Sequence, residues 1–295
     1  MIYSSKKRNL LSMIRKNMNK KNDFNERYKF ISVSDYPFFF QNALTIELAE
    51  KVGISFNMEN NKLIANIPFF ETNIKFNIDR ESAVTLLFEQ FVCKSSYNFI
   101  LHNPTVVVDI GMSVGDTTLA FAANPNVVKV FAYELMPQIY ERAKFNLSLN
   151  PDISFKADVR NYGLGKESKD IEVEYYDELD LSNGIYNDSR KEIFKDGVNS
   201  KVIIKEIVNE LQLINKDFGN FDLCLKIDAE GAEYEIIEAI FNSGINDNIR
   251  YIALEYHFGV KNIIEILRNH NYEIISSITG FDLDCEVGLI QAIRK

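Results

Sequence analysis

The residues with most chemistry to offer stand at the ends of apolar runs. Lys226-Ile-Asp228-Ala-Glu230-Gly231-Ala-Glu233 places three carboxylates just past a run that starts at Asp222. Carboxylates so placed can take a proton, orient a ligand, or hold a divalent cation through oxygen. Glu233 suits the first turn of a helix, where the macrodipole stabilises an acid, so a structural role suffices for it. Glu255-Tyr-His257-Phe-Gly259 ends another apolar run. His257 titrates near neutrality, which suits a general base. Asp228, Glu230 and His257 are therefore the candidate catalytic groups, and no metal is assigned.

A second pair of marks points to a nucleoside. Thr105-Val-Val-Val-Asp109-Ile-Gly111-Met-Ser-Val-Gly115-Asp116-Thr117 reads as buried strand, glycine-bracketed turn and first turn of a helix. Glycine tolerates positive φ and lets backbone come close to a ligand, and the free N–H groups of the helix face whatever sits there. Asp109 stands where the strand ends and can accept hydrogen bonds from a ligand. The spacing Asp-x-Gly-x-x-x-Gly lacks a third glycine and departs from the dinucleotide fingerprint. A nucleoside cofactor without a pyrophosphate fits better. Val127-Val-Lys-Val-Phe-Ala-Tyr133 then ends at Glu134, whose carboxylate can take both ribose hydroxyls. The interval from Gly111 is roughly the twenty residues of one βαβ crossover. Met112 and Asp116 in the same turn, with Asp158 and Asn161 beyond a third strand, complete the cofactor set.

To hold these groups together the chain needs an open sheet whose strand tips converge. From residue 105 onward strands and helices alternate, which implies a mostly parallel sheet with helices on both faces. Ligands bind such a sheet at the carboxyl ends of its strands. A third strand is expected to begin at Ile153-Ser-Phe155, an additional one at Ile171–Tyr175, the fourth at Asp222–Asp228 and the fifth at Tyr251–Glu255. Closing strands fall near 273–278 and 288–293. Pro137 opens a helix whose Ile139, Ala143 and Leu147 face the core. Ahead of this core, residues 1–60 form a mainly helical extension with an aromatic knot at Tyr36–Phe40. Residues 62–68 and 72–78 make a hairpin, and a helix covers about 80–93. Residues 177–200 turn polar, long enough for a lid or a tolerated insertion, with Tyr186 and Arg190 to offer a hydroxyl-rich substrate.

Composition narrows the function. At 295 residues and 46% hydrophobic the chain buries a full core. A net charge of −9 argues against a nucleic-acid substrate. Cys93, Cys224 and Cys285 lie far apart and support neither a disulfide framework nor a zinc site, so a reducing, cytoplasmic setting is expected. No apolar run is long enough to span a membrane. Lys6, Lys7, Arg8, Arg15, Lys16, Lys20 and Lys21 surround Leu10, Leu11, Ile14 and Met18, either as a solvated leader helix or as a weak contact with a membrane surface or a protein.

Three blocks resemble the FkbM family of S-adenosylmethionine-dependent methyltransferases, over about residues 60–295. They are Val108-Asp-Ile-Gly-Met-Ser-Val-Gly-Asp116, Ala132-Tyr-Glu-Leu-Met-Pro137 and Leu225-Lys-Ile-Asp-Ala-Glu-Gly-Ala-Glu233. The last is the most specific, since the family carries a Lys-Ile-Asp-x-Glu-Gly-x-Glu run there. The resemblance implies a class I methyltransferase (Rossmann-like) α/β fold with a seven-stranded, mostly parallel sheet. It implies S-adenosyl-L-methionine as cofactor, held by Asp109, Gly111, Gly115 and Glu134, and O-methylation of sugar or natural-product hydroxyls. Met112-Ser113 stand where the family usually has Ala-Asn, and Leu135 where it has Pro. In the expected reaction Asp228 or His257 takes the hydroxyl proton while the cleft holds the reactants in line. Methylation of an amine, with Asp228 and Glu230 around it, is the first rival, and non-catalytic cofactor binding the second. A nicotinamide dehydrogenase is weakened by the missing glycine.

Overall fold

A computed structural model of the chain describes residues 23–94, 97, 99–177, 197–245, 247–282 and 285–295. Three short segments precede the core: α1 (Pro37–Gln41), α2 (Ala43–Lys51) and an antiparallel sheet of β1 (Ser55–Glu59), β2 (Lys62–Phe69) and β3 (Thr72–Asn77). The hairpin of β2 and β3 lies where alternation placed it. β1 is a correction, because residues 55–59 pair with β2 instead of extending the helical region. Phe24, Tyr28, Phe39 and Phe56 pack ring against ring beneath this sheet. The expected basic leader lies outside the described residues. Helix α3 (Glu81–Leu86) runs on through a π-helical turn over Leu87–Cys93.

The core follows in βα units: β4 (Thr105–Ile110), α4 (Asp116–Ala123), β5 (Val127–Tyr133), α5 (Pro137–Ser148), β6 (Ala157–Arg160), β7 (Gly163–Gly165), β8 (Lys169–Tyr175), β9 (Val198–Glu206), α6 (Ile207–Phe218), β10 (Asp222–Ile227), α7 (Glu233–Ser243), β11 (Ile249–Tyr256), α8 (Lys261–Asn269), β12 (Tyr272–Asp282) and β13 (Cys285–Arg294). Seven of these strands form one sheet in the order β12-β13-β11-β10-β4-β5-β6. β13 runs against both its neighbours, while β11, β10, β4, β5 and β6 are parallel. This is the mostly parallel sheet that the residue pattern implies, with the seven strands and Rossmann-like arrangement that the family resemblance implies. The order reverses between β4 and β10, so the tips of these two strands flank the switch point where open sheets bind ligands.

All six residues of β4 are buried, as a central parallel strand covered on both faces requires. Val106, Val108 and Ile110 face one cluster with Ile207, Ile236, Ile240 and Ile263 from α6, α7 and α8. Val107 faces the opposite cluster, which α4, α5 and the N-terminal sheet complete through Leu119, Ile139, Ala143 and Phe76. The period of two then puts Asp109 on Val107's side, toward α4. β3 is tied by side chains to α5 and the turn after it: the Lys75 and Asn77 N–H groups donate to Asn150 and Asn146 Oδ1 at 2.7 and 3.0 Å. These bonds satisfy an edge that would otherwise be open to pairing with another chain.

Two expectations fail here for local reasons. Residues 151–154 make a helical turn opened by Pro151 rather than a third strand, which begins at Ala157. β9 was not expected; it alternates Ser200, Val202 and Ile204 inward, and forms a separate sheet with β7 and β8. The polar stretch with Tyr186 and Arg190 lies outside the described residues. No helix among the described residues is long and apolar enough to cross a membrane.

Candidate active site

The turn after β4 is held by backbone first. Gly111 and Met112 N–H groups both donate to the Tyr133 carbonyl, at 3.0 and 2.9 Å, which locks this turn to the tip of β5. Gly111 has φ +76°, and a Cβ there would collide with the Asp228 carbonyl oxygen. Its freedom serves the contact between the β4 and β10 turns, in addition to any approach by a ligand. Gly115, at φ +85°, caps α4 and lies against Ala143 of α5. Met112 is wholly buried in the core. Ser113 also has positive φ, and its buried hydroxyl oxygen has no hydrogen-bond partner among the described residues.

Glu134 sits beside this turn at 7% exposure. Its Oε2 accepts the Ser113 N–H at 3.0 Å and its Oε1 the Met136 N–H at 2.8 Å. A carboxylate has about four acceptor positions, so two remain for ligand hydroxyls. Burial raises its pKa to about 7 against the opposing pull of those two N–H groups and Lys226. Asn161 steadies the same tip by donating to the Glu134 and Leu135 carbonyls at 2.9 and 3.3 Å. A glycine-bracketed turn beside a carboxylate with spare acceptor capacity, with the Ser113 hydroxyl close by, fits a ribose-bearing cofactor.

Asp109 behaves otherwise than expected. Its carboxylate is fully buried and takes the Thr117 and Thr118 hydroxyls at 2.8 and 2.6 Å, not a group from solvent. Its other oxygen faces the Lys226 ammonium at 3.4 Å. Lys226 donates to the Ile110 and Gly111 carbonyls and lies 3.5 Å from Asp228. Burial alone would discharge this lysine, but Asp109, Asp228, Asp116 and Glu255 outweigh it and hold it charged. Lys226 thus rivets the β4 and β10 turns together. Asp116, buried at the start of α4, is pushed up to about 7 by burial, with Lys226 pulling down and Asp109 pushing up. Asp158 is not brought to the tips. It pairs with Arg160 at 3.0 Å, and Arg160 reaches on to Glu210 of α6, so this ion-pair network belongs to the sheet's flank.

The acidic tips of β10 and β11 do converge. Tyr97 donates its hydroxyl to Glu255 at 2.7 Å and lies 3.2 Å from Asp228. Glu255 is pushed up to about 7, first by the Asp228 charge and then by burial. Glu233 is fully buried and accepts the Ala229 and Gly231 N–H groups, closing the turn in which Glu230 adopts positive φ. His257 Nδ1 lies 3.1 Å from Glu233 and its Nε2 3.8 Å from Glu230. Burial lowers the imidazole's pKa, but the Glu233 hydrogen bond and charge, with Glu230 and Asp228, lift it to about 9. This favours the imidazolium at neutral pH over the neutral form that the expected base would need. His257 anchors the carboxylates instead. Asp228, Glu233 and His257 each offer a ligand-type atom within 4.8 Å of the others, and Glu233 among them already accepts backbone N–H groups of Ala229 and Gly231.

Three participants were missed from sequence. Lys226 and Glu255 stood in the motifs but carried no assignment, although a lysine inside an apolar strand is itself a signal, since it must find acids. Tyr97 gave no signal, being remote in sequence from both partners. The profile described as Methyltransferase FkbM domain matches residues 109–274, more than half of the chain. No curated protein matches. Among solved structures, TrmK of M. capricolum in complex with S-adenosyl-homocysteine is similar at 16% identity and TM-score 0.36, covering 66% of this chain and 65% of that one, just short of two thirds of its length. Sp1610 of Streptococcus pneumoniae, a putative tRNA (m1A22) methyltransferase, is similar at 11% identity and TM-score 0.38, covering 66% of each. Precorrin-6y C5,15-methyltransferase from Geobacter metallireducens GS-15 is similar at 14% identity and TM-score 0.36, covering 74% of this chain and 89% of that one.

Proposed function

The chain belongs to the FkbM methyltransferase family, and we propose that it methylates a hydroxyl oxygen of a sugar, glycan or natural product. S-adenosylmethionine, the cofactor of this family, supplies an electrophilic methyl group on a sulfonium. Glu134 takes the ribose hydroxyls, and the backbone of the Gly111–Gly115 turn lies alongside, with Asn161 fixing the Glu134 tip. Asp228 and Glu255 receive the acceptor proton, the role first expected of Asp228 or His257. Glu230 and His257 hold the edge of that acidic turn. The larger share of the rate comes from holding acceptor and donor in line, an effect worth up to roughly 7–11 kcal/mol.

One observation carries the choice of a hydroxyl. The Tyr97 O–H already lies within hydrogen-bond reach of both Asp228 and Glu255, so this pair receives a neutral O–H donor. A carboxylate of pKa about 7 is matched to proton removal at neutral pH. A net charge of −9 favours a small-molecule or glycan acceptor over nucleic acid. Free Cys93 and Cys224 suit the cytoplasm as working compartment. The test is a panel of glycosides, polyols, phenols and primary amines with methyl-labelled S-adenosylmethionine. Label on hydroxyl oxygens is expected. Label on amines alone would reject the reading.

A further inference from the structure

We propose that Tyr97 is a positioning residue of the transfer site, whose phenol holds the Asp228 and Glu255 carboxylates together beside Lys226 and favours the charged form of Glu255. The proposal rests on the reading of those two acids as the proton acceptors. Both carboxylates lie within hydrogen-bond reach of the one phenol oxygen, at 3.2 and 2.7 Å. Two acids so close repel, and in a buried site one of them ordinarily takes a proton from solvent. A protonated acid has lost its capacity as a base.

Two donors counter this here. A phenol has one proton, and the shorter bond directs it to Glu255. Asp228 is left to the Lys226 ammonium at 3.5 Å. Burial and the facing charges of Asp228 and Glu255 hold the Tyr97 hydroxyl well above its ordinary pKa, so it remains a donor throughout the working range. The ring itself is buried and lies with its face 5.1 Å from the Lys226 ammonium. Tyr97 therefore touches both halves of the device, the ammonium with its ring and the acids with its oxygen. A residue that only filled space would need the ring alone.

Tyr97→Phe separates these roles, because it keeps the ring over Lys226 and deletes the oxygen. In the full chain with side-chain carboxyls labelled with carbon-13, the Glu255 carbon is expected to titrate near pH 7 in the native protein. In Tyr97→Phe its apparent pKa rises by about one unit, the size expected when a hydrogen bond to the charged form is lost. A second readout uses the native protein alone: the Tyr97 hydroxyl proton gives a protected, downfield signal above pH 7 that fades as Glu255 takes up a proton. An unmoved carboxyl titration in Tyr97→Phe, or no protected hydroxyl proton, overturns the proposal. Neither measurement uses an acceptor, so failure of the hydroxyl panel is a separate result.

Discussion

The two halves of the site are built by different means. At the β4 and β5 tips, polar groups meet backbone: Glu134 accepts two main-chain N–H groups, and Gly111 and Met112 donate to one main-chain carbonyl. At the β10 and β11 tips, side chains meet side chains: Tyr97, Asp228, Glu255, Lys226, Glu233 and His257 form a chain of charge. Backbone donors are fixed in place by the fold and carry no net charge, so the first half suits a bound cofactor of constant shape. The second half can gain and lose protons, which chemistry on an acceptor demands. Lys226 is a side chain that reaches into both, facing Asp109 on one side and Asp228 on the other.

The harshest way to break this comparison is to remove that shared group. Lys226→Met leaves the fully buried Asp109 without its counter-charge and removes the ammonium bonds to the Gly111 and Ile110 carbonyls, the latter keeping its bond from the Asp228 N–H. Breaking a buried pair by deleting one partner costs about 3–5 kcal/mol. Urea unfolding should show a loss of that size, with cofactor binding and methyl transfer both lost. A cost below ~1 kcal/mol would mean that the two halves stand independently. Double replacement with Asp109→Leu should recover part of the loss, since the orphaned charge goes too.

The same division explains what could be read from the sequence. The cofactor half was legible because its parts are local: glycines at fixed spacing, an acid at the end of the next strand, a proline opening the next helix. The sheet was legible because apolar runs alternate with helical periods. The third strand was misplaced since Ile153 is buried from a helical turn, and apolar residues in so short a stretch fit either period. β9 was hidden by its polar outer face, Asn199, Lys201 and Lys205, which reads as loop. The acidic half was half-legible. Its carboxylates are clustered in sequence, but Tyr97 lies 131 residues from Asp228 and 158 from Glu255, and no local pattern links them. For His257 the sequence suggested a neutral base, whereas its charge depends on Glu233 and Glu230, which only the fold brings beside it.

A gentler test sharpens the cofactor half. In Glu134→Gln, one charge-assisted acceptor becomes neutral and affinity for S-adenosylmethionine should fall by roughly 10- to 100-fold, equivalent to about 1.5–3 kcal/mol. Calorimetry measures it. The native protein adds a pH signature. Glu134 has a pKa raised to about 7, and ribose hydroxyls donate to its ionised form. Affinity should therefore rise as pH passes up through 7 and level off above it, whereas Glu134→Gln should be flat over that range. A native affinity that does not change from pH 6 to 8 counts against the ribose role.

The smallest effect belongs to His257, and its sign decides between base and anchor. The folded protein holds the imidazole proton up to about pH 9, against an ordinary 6.5 in the unfolded chain. A folded pKa raised in this way stabilises the protein fully below pH 6.5, and the contribution fades as pH climbs toward 9. At pH 7.5 the difference is ~1–2 kcal/mol once the group's partial exposure is allowed for. His257→Gln should therefore be less stable than the native chain at pH 6, by denaturant unfolding, and converge with it near pH 9. A neutral histidine poised as a base predicts the opposite, a stability gap that does not close with rising pH. Its acid limb of turnover would also vanish in His257→Gln, whereas an anchor leaves that limb to Asp228 and Glu255. The imidazolium lies between Glu230 and Glu233, so its loss should loosen the turn that carries Asp228 and lower turnover only in part.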